Sequence, residues 1–330
     1  AWVKRTMESK FEIKSEILGP GAQHAKQIRV LNRVISWTNE GLVYEPDQRH
    51  AEIVIRELGL EGAKAANSPG SRDELNQASS PGDAAAVEVV DESPPMAPRD
   101  ATAYRGIAAR PNYLAQDRAD IQYACKEASR RMASPREADW LMPKRIARYL
   151  IGAPRFEQTF VWQDEPEKAD AYTDSDWAGC RSTCRSTSGG ALKLGKHCLK
   201  TWPSTHAIVA FARAEGALCA LPTGASQVLG LMSLLHDFGI DVSATVHTDV
   251  IAAISIVRRA GLGKLRHLKV RDVWPQDNVK EEDFELLKVS GLANPADSMT
   301  KHLSRVDAER HLAGLSMHLG SGRAAAAPTL

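Results

Sequence analysis

The strongest constraint on the fold is a change of hydrophobic period within residues 167–310. Apolar and polar residues alternate at first, which predicts a meander of three strands over 169–174, 188–194 and 197–202. The pattern turns helical over 212–238 and continues with two further strands, each next to a helix, over 244–248 and 284–289. This order predicts a mixed α/β sheet covered by helices, the last of which begins at Pro295.

Residues 1–64 predict a smaller α/β piece. Two β-rich runs, 28–37 and 42–45, are separated by a turn-forming sequence and indicate a hairpin. A helical pattern follows and ends at Gly59, and residues 11–14 form a further strand candidate.

Four other segments complete the predicted organisation. Residues 65–100 are rich in Pro, Ser, Ala and acidic residues without apolar periodicity, which predicts a disordered linker. Residues 101–155 show helical patterns and form connecting helices. The mixed-sheet domain takes 165–310, and 311–330 read as a flexible tail.

Composition and charge narrow the class of protein. With 43% hydrophobic residues the chain can bury a core, and a formal net charge of +1 means that any nucleic-acid-binding surface must be local. No run approaches the roughly 20 apolar residues of a membrane span, and the first ten residues lack the apolar region of a secretion signal. We therefore expect a protein that is neither secreted nor embedded in a membrane.

The cysteines give no sign of a disulfide framework, which suits a reducing compartment inside the cell. The five are Cys125, Cys180, Cys184, Cys198 and Cys219. Three of these and a histidine could be imagined as a zinc site, but their spacing matches no common pattern, so ordinary thiols are favoured: Cys180, Cys184, His197 and Cys198.

Three aspartates stand where a strand ends or a helix begins. Asp174 and Asp249 close predicted strands, and Asp297 opens the last predicted helix. Carboxylates gathered at adjacent strand ends need a cation, and hard oxygen ligands suit Mg²⁺. Such a site can hold two metal ions about 4 Å apart and promote phosphodiester hydrolysis. Aspartate is also a common cap and strand terminator, and spacing alone does not decide between the two interpretations.

A basic stretch between the fourth strand and the fifth is the local candidate for nucleic-acid binding. It comprises Arg258, Arg259, Lys264, Arg266, His267, Lys269 and Arg271. These side chains either contact the phosphates of a duplex or form a solvated helix end and loop.

Several motifs in the same order resemble the RNase H domain of copia-type retrotransposon Pol polyproteins. They are YTDSDWAG at 172–179, RSTSGG at 185–190, KTW at 200–202, AIVA at 207–210, GKLRHLKVR at 263–271 and NPADSMTK at 294–301. Upstream, segments within 113–150 resemble the connecting helices of that family, and segments within 32–50 resemble the end of its reverse transcriptase. The polymerase's paired aspartates have no counterpart in this chain.

The resemblance implies an RNase H-like fold, with a five-stranded mixed sheet, and a catalytic carboxylate set. By motif match that set is Asp174, Glu215, Asp249 and Asp297, of which the three aspartates would hold Mg²⁺ or Mn²⁺. The implied substrate is an RNA–DNA hybrid whose RNA strand is hydrolysed, and the implied partner is the rest of the Pol polyprotein. No small-molecule cofactor is implied, and the family's replication in cytoplasmic particles implies an intracellular site.

The chain departs from the family where a second glutamate should be a metal ligand. Ala217 occupies that position, whereas Glu215 matches the glutamate two residues earlier. Two residues turn a helix by about 200°, so Glu215 can serve only from an adaptable first turn. Val250 also replaces an asparagine of the family. Prolines occur where the family rarely has them, namely at Pro143, Pro203, Pro222 and Pro275.

Three functional interpretations therefore remain open. The first is a metal-dependent nuclease acting on RNA–DNA hybrids. The second, favoured by Ala217, is a decayed copy that folds and at most binds nucleic acid. The third is an unrelated α/β enzyme, although the chain has no phosphate-cradling glycine loop or nucleophile elbow to support it.

Overall fold

The computed structural model describes residues 2–71, 93–180, 183–207, 209–210, 212–259 and 270–329. The strands are β1 (Gln27–Val30), β2 (Arg33–Trp37), β3 (Gly41–Glu45), β4 (Arg155–Val161), β5 (Lys168–Asp176), β6 (Thr187–Leu194), β7 (His197–Thr205), β8 (Ser243–Thr248), β9 (Glu285–Lys288) and β10 (Met317–Gly320). The α-helices are α1 (Trp2–Glu8), α2 (Arg49–Glu57), α3 (Pro98–Leu114), α4 (Gln122–Arg130), α5 (Leu141–Gly152), α6 (Arg213–Asp237), α7 (Ile251–Arg258), α8 (Val270–Lys280) and α9 (Arg305–Gly314). They form an α/β architecture with two five-stranded sheets.

The second half of the chain forms the mixed sheet that the sequence predicts. Its strand order is β7-β6-β5-β8-β9, with β5, β6 and β7 antiparallel and β8 and β9 parallel to β5. Gly195 makes the β6–β7 turn with φ of +57°, a value that glycine adopts without strain. The antiparallel meander on one side of β5 and the parallel strands β8 and β9 on its other side confirm the RNase H-like fold class.

Helix α6 covers one face of this sheet and supplies much of its core. Leu218, Leu221 and Val228 pack with alanines of β5 and with Val246 of β8. By length and apolar composition α6 also meets the requirement for a membrane span, so the expectation that no run comes near it is wrong. Its buried side faces the sheet, as in the core helix of a globular domain.

The prolines fit the elements in different ways. Pro143 lies in the first turn of α5, where it needs no intrahelical donor, and Pro203 lies in the edge strand β7, next to β6 only. Pro222 and Pro275 lie inside α6 and α8, which continue through them. Helix α8 was not anticipated from the sequence.

The other sheet is antiparallel and joins distant parts of the chain in the order β1-β2-β3-β4-β10. The predicted hairpin is present as β2 and β3, but residues 11–14 form no strand. The prediction of a flexible tail at 311–330 is wrong, because β10 pairs with β4 and Leu312 and Leu315 are buried. Strand pairing and apolar burial therefore fix this segment.

The predicted linker lies partly outside the described residues, since 72–92 are not among them. Its described ends contact the rest of the chain. The amide of Ala66 donates to Arg148 O at 3.0 Å, and Met96 is buried next to the residues of α3. The connecting helices α3, α4 and α5 pack with α2 around Leu114, Ile146 and Leu150.

Candidate active site

The site forms where β5 ends and a 3-10 helix, Pro295–Met299, crosses it. Asp174 is the seventh residue of β5 and only 6% exposed. Asn294 fixes the crossing: its side-chain amide donates to Thr173 O at 3.0 Å and its Oδ1 accepts from the Ala296 amide at 3.2 Å. Asn294 thereby caps the 3-10 helix and docks it beside the strand that carries Asp174. The prediction that a helix begins at Pro295 is confirmed, but this helix is a short 3-10 helix, and the last α-helix, α9, begins only at Arg305.

A glycine on the neighbouring strand makes this close approach possible. Gly189 of β6 pairs with Asp174. A Cβ atom at this position would lie 2.5 Å from Met299 Cβ and 2.7 Å from Thr300 Cγ2. The 3-10 helix can therefore rest on the sheet only because residue 189 has no side chain.

The three aspartates share one electrostatic environment. Burial, and then the charge of Asp174 and a side-chain hydrogen bond with it, raise the pKa of Asp297 to about 6. Burial and the charge of Asp174 also raise the pKa of Asp249, the residue that follows β8. The ends of β5 and β8 and the 3-10 helix thus place the three carboxylates predicted from the sequence near enough for the negative charge of Asp174 to oppose those of the other two.

Two neighbours of Asp297 partly compensate that charge. Lys301 Nζ lies 2.7 Å from Asp297 Oδ2. Burial opposes the positive charge of Lys301, but the hydrogen bond to Asp297 and the charge of Asp174 outweigh it and raise the pKa of Lys301. The hydroxyl of Thr300, which is fully buried, donates to Asp174 Oδ2. Sequence reasoning gave neither residue a role; the available signal was the four-residue spacing from Asp297 to Lys301.

The donor atoms suit a divalent cation. Within the described residues, Asp249 Oδ1 and Asp297 Oδ1 are buried without a hydrogen-bond partner. Carboxylate oxygens are the ligands that Mg²⁺ and Mn²⁺ prefer, and a buried carboxylate oxygen without a hydrogen-bond partner is available to a cation. In this part of the chain no three Asp, Glu, His or Cys side chains already stand together as a metal cage. The residues fit the ion chemically, and binding requires their side chains to close around it.

Glu215 and Ala217 differ in their surroundings. Glu215 lies in the first turn of α6 and is buried, but it is not among the leading charges that shift the pKa of Asp249 or Asp297. Ala217 is 2% exposed and packs with Leu218 in the core between α6 and the sheet. The electrostatic contacts therefore relate three of the four predicted catalytic residues to one another, and the role of Glu215 stays a prediction.

A further carboxylate near the site was missed. Burial raises the pKa of Asp176, two residues after Asp174, to about 6, and its Oδ1 accepts from the amide of Thr187. Lys126 of α4 donates to Thr187 Oγ1 at 2.6 Å and pairs with Glu127 at 2.5 Å. A connecting helix thus contacts the first residue of β6, which pairs with Asp176 at the end of β5.

The predicted basic stretch lies mostly outside the described residues. This applies to Lys264, Arg266, His267 and Lys269, and to the side chain of Arg271. Arg258 and Arg259 are exposed at the end of α7, and the Arg258 guanidinium donates to Leu286 O at 2.9 Å. Their role in nucleic-acid binding stays a prediction.

Comparison with known proteins relates the chain to retrotransposon polyproteins. No protein-family model matches it. The retrovirus-related Pol polyprotein from transposon RE2 of Arabidopsis thaliana is 29% identical over 210 residues, 63% of this chain and 14% of that polyprotein. The corresponding polyprotein from transposon TNT 1-94 of Nicotiana tabacum is 24% identical over 308 residues, 92% of this chain and 22% of the polyprotein. The chain thus spans less than a quarter of the length of either relative.

Among solved structures, RNase H1 from the archaeon Halobacterium salinarum aligns with 40% of this chain and 94% of its own. The sequence identity of the aligned pair is 18% and the TM-score is 0.29.

Proposed function

We propose that this chain, a homologue of copia-type retrotransposon Pol polyproteins, hydrolyses the RNA strand of RNA–DNA hybrids at the aspartate cluster in a metal-dependent reaction. The single observation that carries the proposal is the electrostatic interaction of Asp174 with both Asp249 and Asp297 at the ends of strands in an RNase H-like sheet, where Asp249 and Asp297 each have a buried oxygen without a partner among the described residues. Homology to the polyproteins supports the same reaction class.

In this proposal the three aspartates would be the metal ligands, and Asn294 and Thr300 would fix the positions of the segments that carry them. When bound there, Mg²⁺ or Mn²⁺ would supply an activated water and would stabilise the leaving oxygen of the phosphodiester. Asn294 and Thr300 keep the 3-10 helix and Asp174 in register, so that little rearrangement is needed when the carboxylates close.

The proposed substrate and context follow from homology. The RNA–DNA hybrid would contact the basic stretch that ends α7, through phosphates and without base specificity. The rest of a Pol polyprotein is the proposed partner, and the proposed role is intracellular. No small-molecule cofactor enters the reaction.

A second candidate function is hybrid binding without cleavage. The observation that favours it is the buried methyl group of Ala217 at the position of the family's fourth ligand. With one ligand missing, the chain would still fold and bind a hybrid but would no longer cleave it.

The test is cleavage of a hybrid with labelled RNA by the full chain, in Mg²⁺ and in Mn²⁺. The variants are Asp174→Asn, Ala217→Glu and, as a matched control, Asp241→Asn, whose carboxylate is 86% exposed and lies outside the cluster. If the native chain is a nuclease, Asp174→Asn lowers the rate by about a hundredfold or more, because losing a metal ligand removes several kcal/mol of transition-state stabilisation. Asp241→Asn leaves the rate unchanged.

The alternatives give different results. Cleavage by Ala217→Glu alone identifies an intact fold disabled at one ligand. Hybrid binding without cleavage by either protein, in samples that melt cooperatively, selects the binding function. Cleavage that persists in Asp174→Asn contradicts the proposed site.

A further inference from the structure

Lys301 occupies an unusual position in the candidate site. Its Nζ lies 2.7 Å from Asp297 Oδ2, and its charge also interacts with those of Asp174 and Asp249. One ammonium therefore pairs with Asp297 and lies within electrostatic range of the other two aspartates that are proposed to bind the metal.

We propose that Lys301 is a built-in counterion that competes with the divalent metal for the aspartate cluster and so sets a high metal requirement. This inference rests on the proposed function, since it concerns the same three carboxylates. It assigns to Lys301 a role in setting the metal affinity of the site, exerted through its ion pair with Asp297.

The charges of the cluster show why a counterion is needed. Three ionised aspartates carry a formal charge of −3 in a partly buried site, which is costly unless cations compensate it. Lys301 supplies the only positive side chain with a described hydrogen bond to one of these aspartates. Asp297 Oδ2 is bound by the ammonium, while Asp297 Oδ1 has no partner among the described residues.

The backbone around Lys301 is fixed, but its side chain can leave. Thr300, the preceding residue, is fully buried; its hydroxyl donates to Asp174 Oδ2 and its backbone amide donates to Asp297 O at 3.3 Å. The Lys301 side chain is 32% exposed and ends a flexible four-carbon stem. The ammonium can therefore swing into solvent when a metal takes its place, while the 3-10 helix stays docked.

Competition predicts the direction of the effect. A metal ion must displace the ammonium from Asp297 Oδ2 or bind beside it and be repelled. Removing the charge of Lys301 should therefore tighten metal binding by about tenfold or more, since two unit charges a few ångströms apart interact by several RT at an effective dielectric near 20. If Lys301 only held Asp297 in place, its removal would weaken metal binding, because the Asp297 side chain would become more mobile.

The experiment measures Mn²⁺ binding to the full chain by calorimetry and by the loss of the free-ion resonance signal. The variants are Lys301→Met, Lys301→Gln and Lys301→Arg, and Lys200→Met is the matched control. Lys200 lies on the edge strand β7, is exposed and bonds Gln227 rather than an aspartate. A melting curve in a metal chelator accompanies each protein, and two neutral variants guard against one of them failing to fold.

We expect both neutral variants to bind Mn²⁺ about tenfold more tightly than the native chain, and Lys301→Arg and Lys200→Met to bind like it. If the neutral variants bind Mn²⁺ no more tightly than the native chain, the inference about Lys301 is wrong, but the proposed metal site is retained. If neither the native chain nor any folded variant binds Mn²⁺, the proposed metal-dependent function fails as well.

Discussion

Replacing Asp297 by asparagine tests the electrostatics of the aspartate cluster. The pKa of Asp297 is raised to about 6 from its ordinary value of 3.8, first by burial and then by the charge of Asp174. Asparagine has the same shape and stays neutral at every pH, so it imitates the protonated aspartate. The substitution removes one titrating group from the folded state and leaves the rest of the cluster in place.

The sign and size follow from the shift. Between about pH 4 and pH 6 the folded chain keeps the proton of Asp297 while the unfolded chain has released it, so the free energy of unfolding falls as the pH rises. This stabilising contribution is complete below pH 3.8 and lost above about pH 6. A shift of about two units corresponds to at most about 3 kcal/mol, and solvent screening of this partly exposed group reduces it to about 1–2 kcal/mol.

The assay is urea unfolding in a metal chelator from pH 4 to pH 8. Groups with lowered pKa, such as Asp47 and Glu127, act in the opposite direction in both proteins and cancel in the difference. We expect Asp297→Asn to match the native chain near pH 4 and to exceed it by about 1–2 kcal/mol at pH 7. Equal stability at both ends of the range, or a variant less stable at pH 7, would refute the assignment of a raised pKa to Asp297.

Two further predictions concern packing. Gly189→Ala should lower the free energy of unfolding by about 1–3 kcal/mol and weaken Mn²⁺ binding, because the added Cβ would push Met299 and the 3-10 helix away from the sheet. The control is Gly230→Ala, which has open space around it and should be neutral or slightly stabilising in the same melting assay. Arg118→Met should lower stability by about 3–5 kcal/mol, because it leaves Asp120, whose side chain is fully buried, without the guanidinium 2.6 Å away. The double variant with Asp120→Leu should recover most of that loss, and no recovery would mean that packing of Arg118 against Phe156 dominates.

The sequence was most informative where one stretch of chain forms a complete unit. The three meander strands, the turn at Gly195 and helix α6 are encoded by local periodicity, and neighbours in sequence are neighbours in the sheet. The proximity of Asp174 and Asp249 could also be predicted, because both come where a predicted strand ends and the two strands are neighbours in the sheet.

The antiparallel sheet could not be predicted in this way. Strand β4 joins β3 across more than a hundred residues, and β10 joins β4 across more than a hundred and fifty. Each strand is short, and its local sequence pattern does not predict which strand it pairs with. The small residues after Gly320 favoured a free tail, whereas Arg323 pairs with Glu52 of α2 at 2.6 Å and holds this segment against the first helices. Long-range pairing of short strands depends on the assembled core rather than on the strand's own sequence.

The charge balance of the cluster connects the missing ligand with Lys301. A site with four carboxylates and one lysine would carry a formal charge of −3, whereas Asp174, Asp249, Asp297 and Lys301 together carry −2. One divalent ion neutralises the smaller charge, so a second ion gains little electrostatic energy at this site. In the proposed site, the absence of a carboxylate at Ala217 and the presence of the Lys301 ammonium would therefore act in the same direction, because both would reduce the attraction for metal. Restoring the carboxylate and removing the ammonium are two independent ways to strengthen metal binding, and only the first also rebuilds the ligand that two-metal hydrolysis uses.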